Sequence, residues 1–176
     1  MTELIIESDD KEKDENDELR TEKGILNQAE YRIKLYNADV KSEKNILRVR
    51  MNSRFGPLQC IAHAREDAGQ FAFYSRFPSY VGIEHRPEML NLLSRINYRL
   101  MIGNFEMDPS DGELNFKTSL DLAGANYDGK LLDNCMNQNI ETMQRWMSAI
   151  YSVNSGELDS IDAMETVLSK DAMAAV

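Results

Sequence analysis

The sequence predicts an α+β fold: a five-stranded, mainly antiparallel sheet with helices packed on one face, in the order α-β-β-β-α-β-β-α. Three observations carry this prediction. Between Leu47 and Phe77, apolar residues recur at every second position in three consecutive runs separated by short turns, the pattern of an antiparallel meander with one face buried. From Met101 to Asp121, the stretch MIGNFEMDPSDGELNFKTSLD reads as a hairpin around DPSDG. There proline pre-sets a turn dihedral, aspartate supports the turn by side-chain hydrogen bonds, and glycine accepts a positive φ. Two long segments carry apolar residues at helical spacing. Strands outnumber crossovers, so the helices segregate to one side.

The first element is ambiguous. In GILNQAEYRIKLYNADV, Ile25, Ala29, Ile33 and Tyr36 are spaced for a helix, whereas Tyr31, Ile33 and Leu35 alternate like a strand. The run is long for a strand, so a helix from about Glu22 to Asn37 is expected. Leu47, Val49 and Met51 then alternate with Arg48 and Arg50; RFGP turns the chain; Leu58, Cys60, Ala62 and Ala64 follow; EDAGQ turns it again before Phe71, Phe73, Ser75 and Phe77. In HRPEMLNLLSRINYRLM, Pro87 suits a first helical turn, and Met89, Leu93, Ile96 and Leu100 form the apolar stripe. After the hairpin, Asn126 or Asp128 could cap a helix from Lys130 to about Val153, ended by Gly156. Its apolar side holds Leu132, Met136, Asn139, Met143, Met147 and Ile150. Asp159 or Ser160 could start a further short helix carrying Ile161, Met164 and Leu168.

At 176 residues, the chain suits one domain with appendages and can bury a core without disulfides or metal. Residues 1–20 hold nine acids and three bases, so most of the net charge of −10 lies there. They read as a solvated, disordered acidic tail, residues 21–155 as the domain, and residues 156–176 as a C-terminal extension. The N-terminus lacks the basic start and apolar core of a secretory signal and is too acidic for a transit peptide. No apolar run suggests a membrane span, so a cytoplasmic protein is expected. Cys60 and Cys135 have no motif spacing and fall on predicted core faces, as buried, reduced thiols.

Motifs for chemistry are absent. The sequence has no Gly-rich phosphate loop, no G-x-S-x-G and no H-E-x-x-H. His63 and His85 lack partners at metal-ligand spacing. DPSDGE clusters carboxylates but lacks the twelve-residue calcium-loop pattern. Asn97 and Asn139, in or beside apolar stripes, are expected to bond backbone groups where helices meet the sheet. Met89, Met136, Met143 and Met147 could form an adaptable docking groove, but their helical spacing favours core packing. No catalytic residue, metal ligand or cofactor is therefore assigned. What remains is the outward side of the meander, where Arg48, Arg50, His63, Arg65, Tyr74 and Arg76 would share one face. A solvated face is the plainest account. A protein-interaction face ranks next, and nucleic acid last, because the chain is acidic and lacks RNP-type aromatic motifs.

The stretches QCIAHAREDAGQFAFYSRFP and INYRLMIGNFEMDPSDGELNFKTSLD resemble the YbjN-like family, described as "putative" bacterial sensory-transduction regulators with the fold of type III secretion chaperones. The likeness runs from about Ile46 to Val153 and is greatest to cyanobacterial members. It implies the element order above, a bacterial cytoplasm, a regulatory role and no catalytic residues. Secretion chaperones of this fold often dimerise, so it also admits a homodimer, with the C-terminal segment as a candidate surface. The expected function is a non-enzymatic protein-binding module, chaperone-like or adaptor. The alternative is a small-ligand- or nucleic-acid-responsive regulator, with an unrecognised enzyme third.

Overall fold

The structure, a computed structural model, describes residues 24–36, 38–125 and 128–174. The acidic segment 1–20 and the candidate cap Asn126 lie outside the described residues. The sheet has six strands rather than five: β1 (Asp39–Glu43), β2 (Ile46–Ser53), β3 (Gly56–Arg65), β4 (Gln70–Arg76), β5 (Asn104–Met107) and β6 (Leu114–Asp121). Four helices accompany them: α1 (Ile25–Leu35), α2 (Arg86–Arg99), α3 (Gly129–Asn154) and α4 (Ser160–Ala174). The observed order is thus α-β-β-β-β-α-β-β-α-α. Strand β1 escaped the sequence reading because its residues, DVKSE, are almost all exposed and polar, leaving no core-facing alternation to detect. It is joined to β2 by the two-residue turn Lys44–Asn45, with Lys44 at φ 51°.

All pairings are antiparallel, in the spatial order β1-β2-β3-β4-β6-β5. Register follows the sequence alternation. One row runs Val49–Cys60–Ser75–Phe116–Phe105 on the inner face, and the next runs Arg48–Ile61–Tyr74–Lys117–Asn104 on the outer face. The inner rows supply the core: Leu47, Val49, Leu58, Phe71, Phe73, Leu114 and Phe116 are all buried. Against them α3 lays Met136, Met143, Trp146, Met147 and Ile150, and α1 lays Ile25, Ala29 and Ile33. Met89, Met136, Met143 and Met147 are each at most 2% exposed, so they pack the core and line no groove. Helix α4 packs on α3 and α2 and buries Ala163 and Val167 in the same core.

Polar side chains fix how the layers meet. Asn139 Nδ2, on α3, donates to the Phe73 and Phe116 carbonyls at 2.9 and 3.0 Å, which pins the helix across β4 and β6. Glu66, just after β3, accepts the Ile25 and Leu26 N–H groups, both at 2.9 Å, and so caps α1 from the sheet. The partly buried Arg32–Asp133 ion pair ties α1 to α3. Asp128 caps α3 through the Lys130 N–H.

The hairpin between β5 and β6 is held at its tip. Asp108 accepts Ser110 N–H and Oγ–H at 2.8 and 2.6 Å, and Asp111 accepts the Glu113 N–H. The Arg86 guanidinium, at the start of α2, donates to the carbonyls of Pro109, Ser110 and Asp111 at 2.8–3.2 Å. The DPSDGE carboxylates are thus largely engaged in turn and ion-pair contacts.

Candidate protein-interaction face

The outer face of the sheet follows from strand geometry alone. Successive side chains point to opposite sides, so the residues between those of the core must emerge opposite the helices. The helices cover only the inner side among the described residues. The outer rows are Asp39–Arg50–Gln59–Arg76–Asn115–Glu106, then Lys41–Arg48–Ile61–Tyr74–Lys117–Asn104, then Glu43–Ile46–His63–Ala72–Ser119.

The six residues singled out from sequence all lie on this face, but they do not form one cluster. Arg48, Arg50, Tyr74 and Arg76 come together around a concavity of about 440 Å³, with Ile61 beside Tyr74. His63 and Arg65 lie towards the other end of β3. There the His63 Nε2 sits 2.8 Å from the Asn45 amide, and Arg65 reaches Gln70 at 3.5 Å. A second hollow of about 290 Å³ adjoins the first through Gln59 and Arg76 and extends to the exposed Tyr80.

The face is also less basic than the meander alone implies. Arg48 pairs with Glu43 at 3.2 Å, Arg76 with Glu113 at 2.7 Å, and Lys117 with Glu106 at 3.3 Å. Lys117 Nζ also stands 6.0 Å from the Tyr74 ring centroid. Only Arg50 among the three central arginines has no ion-pair partner within the described residues. Sequence reasoning missed the acids because two of them sit on neighbouring strands, one of which was unrecognised. The signal was present in the D-x-K-x-E alternation of Asp39–Glu43, next to a two-residue turn.

The two edges of the sheet differ in chemistry. On β5, the Asn97 side chain donates to the Phe105 carbonyl at 2.9 Å and accepts the Phe105 N–H at 2.8 Å. One amide thus satisfies both backbone groups that a further strand would need at this residue. On β1 no comparable side chain covers the backbone among the described residues. Tyr98 and Met101, 93% and 97% exposed, lie beside the sealed edge.

Elsewhere, the buried polar groups serve packing. Burial pushes the Cys60 thiol well above its ordinary value, and it raises Cys135 as well. Both thiols are free and buried, which makes them poor nucleophiles. Among the described residues, no three His, Cys, Asp or Glu side chains are grouped to hold a metal ion, and no helix is long and apolar enough to cross a membrane.

The profile of the YbjN family, described as "Putative bacterial sensory transduction regulator", matches residues 23–152. The chain belongs to the YbjN family. The matched span takes in α1, all six strands and most of α3, and with them the whole outer face. A chain in the crystal structure of the ExsC-ExsE complex is similar in fold, with a TM-score of 0.50 and 10% sequence identity, over 68% of this YbjN chain and 87% of that one. No curated protein matches the chain.

Proposed function

We propose that this YbjN chain is a non-enzymatic protein-binding module, chaperone-like or adaptor in character, that acts in regulation and engages its partner on the outer sheet face. The observation that carries the reading is the division of the sheet: one face supplies the core, while the other is left bare by every helix among the described residues and is hollowed around Arg48, Arg50, Tyr74 and Arg76. A floor of Ile61 and Tyr74 rimmed by guanidinium groups suits an extended segment with apolar and acidic side chains. The likeness to a chain from a protein–protein complex supports the same reading at the level of fold. A bacterial cytoplasm is the setting implied by the sequence likeness to cyanobacterial members.

Three cations on this face are already neutralised by acids of the same face. That pattern favours a protein segment over nucleic acid, whose binding relies on unneutralised Lys and Arg. A photo-crosslinking residue placed at Arg50 or Ile61 in cells tests the proposal, with Glu165 on α4 as control. The reading predicts a discrete protein adduct from the sheet positions alone, whose partner binds the purified chain. Equal labelling from Glu165, or adducts to nucleic acid only, would contradict it.

A further inference from the structure

We propose that the chain covers its own outer hollow: residues 4–10 fold back onto Ile61 and Tyr74, between Arg48, Arg50 and Arg76, and a partner binds by displacing them. This regulation rests on the outer face being a docking surface, and it names what holds that surface before the partner arrives. The lining of the hollow carries four cations, Lys41, Arg48, Arg50 and Arg76, and one acid, Asp39, around the apolar Ile61 and Tyr74. Glu43 and Glu113 pair with Arg48 and Arg76, which leaves Lys41 and Arg50 without an ion-pair partner among the described residues. An occupant therefore needs apolar side chains closely followed by acids. Residues 4–10 read LIIESDD. Leu4, Ile5 and Ile6 form the one run of three apolar residues within residues 1–20, and Glu7, Asp9 and Asp10 follow with no base among them. The rest of the chain is net acidic as well, so like-charge repulsion steers these acids away from most of its surface and towards this face.

The tether between this segment and the fold has a suitable length. Gly24 stands beside Glu66, whose carboxylate accepts the next two N–H groups. Glu66 directly follows β3, so the chain joins the described structure at the end of the sheet where His63 and Arg65 stand on the outer face. From Arg65 to Ile61 along β3 is about 13 Å, at about 3.3 Å per residue. Rounding the end of the sheet from the helical layer adds a layer spacing of about 10 Å. Residues 11–23 number thirteen. A chain of that length reaches at most about 45 Å, and a coil of that length averages about 20 Å end to end. Such a tether offers residues 4–10 to the hollow at an effective concentration on the order of millimolar. The acids of the tether, Glu12, Asp14, Glu15, Asp17 and Glu18 among them, pass His63 and Arg65 on the way. That path gives a common purpose to the outer cations that the hollow itself does not gather.

A benzophenone side chain placed at Gln59, which lines the hollow, tests the proposal in the purified full chain with no other protein present. Irradiation is expected to link position 59 to residues 4–10 of the same chain, mapped by mass spectrometry, in a yield that dilution leaves unchanged. Glu7→Lys with Asp9→Lys and Asp10→Lys lowers that yield at least about threefold. Ile5→Ser with Ile6→Ser lowers it as well, by removing the apolar contact, and thermal melts of both variants match that of the parent chain. Both variants also bind the partner captured in cells more tightly, because its site is uncovered. No link to residues 4–10, links only between separate chains, a yield indifferent to both variants, or a partner bound no more tightly by them overturns the proposal. The two readings fail apart: absence of any partner adduct in cells defeats the proposed function, whereas the internal link is read without a partner.

Discussion

Asn97 illustrates how much one amide can settle. It stands on α2 and takes the place of a strand beside Phe105, giving one donor and one acceptor. Asn97→Ala should cost about 1–3 kcal/mol, because two partly buried backbone groups lose their partners. Urea unfolding measures the loss, and light scattering should show increased self-association from the unsealed edge. Tyr36 offers a second test at this scale. Its pKa is pushed up to about 12, chiefly by burial and further by the neighbouring Asp133 carboxylate. The folded chain keeps a proton that the unfolded chain releases near the ordinary tyrosine value of about 10. The resulting stability is present below pH ~10 and is lost as pH rises from about 10 to about 12. Absorbance at 295 nm should show one tyrosine ionising late, and thermal melts should fall over that window. In Asp133→Asn the late ionisation should move towards the ordinary value.

At the scale of elements, the β5–β6 hairpin is held by its turn residues and by Arg86. Gly112 has φ +85°, and a Cβ there would run into the Val81 carbonyl. Gly112→Ala should therefore cost about 1–3 kcal/mol, read as a lower urea midpoint with an unchanged slope. This hairpin was legible in the sequence because turn chemistry and strand alternation agreed over some twenty residues. The meander was legible for the same reason: from Leu47 to Phe77 the residues alternate in three runs separated by short turns. Strand β1 was not, since an edge strand with only Val40 facing the core leaves no apolar period. The spacing predicts the first helix from about Glu22 to Asn37, whereas α1 spans Ile25–Leu35. Its N-terminus depends on Glu66, forty-one residues from Ile25, and no local pattern can announce a cap supplied from across the fold.

For the molecule as a whole, alternation predicted which residues face outward but not how they meet. Arg48, Arg50, Tyr74 and Arg76 converge only because β2, β3 and β4 are neighbours in register. The acids that pair with Arg48, Arg76 and Lys117 come from β1, the residue before β6, and β5, brought near by a strand order that the sequence does not state. The account rests on the outer face as the surface of contact, separate from the core beneath it. The most direct test is the affinity of the crosslinked partner for a chain carrying Arg50→Glu and Tyr74→Ala, measured with the melting temperature of the same variant. The account predicts an affinity at least about tenfold weaker, as for the loss of a central arginine and tyrosine, with the melt nearly unchanged. Undiminished affinity in a folded variant would contradict it.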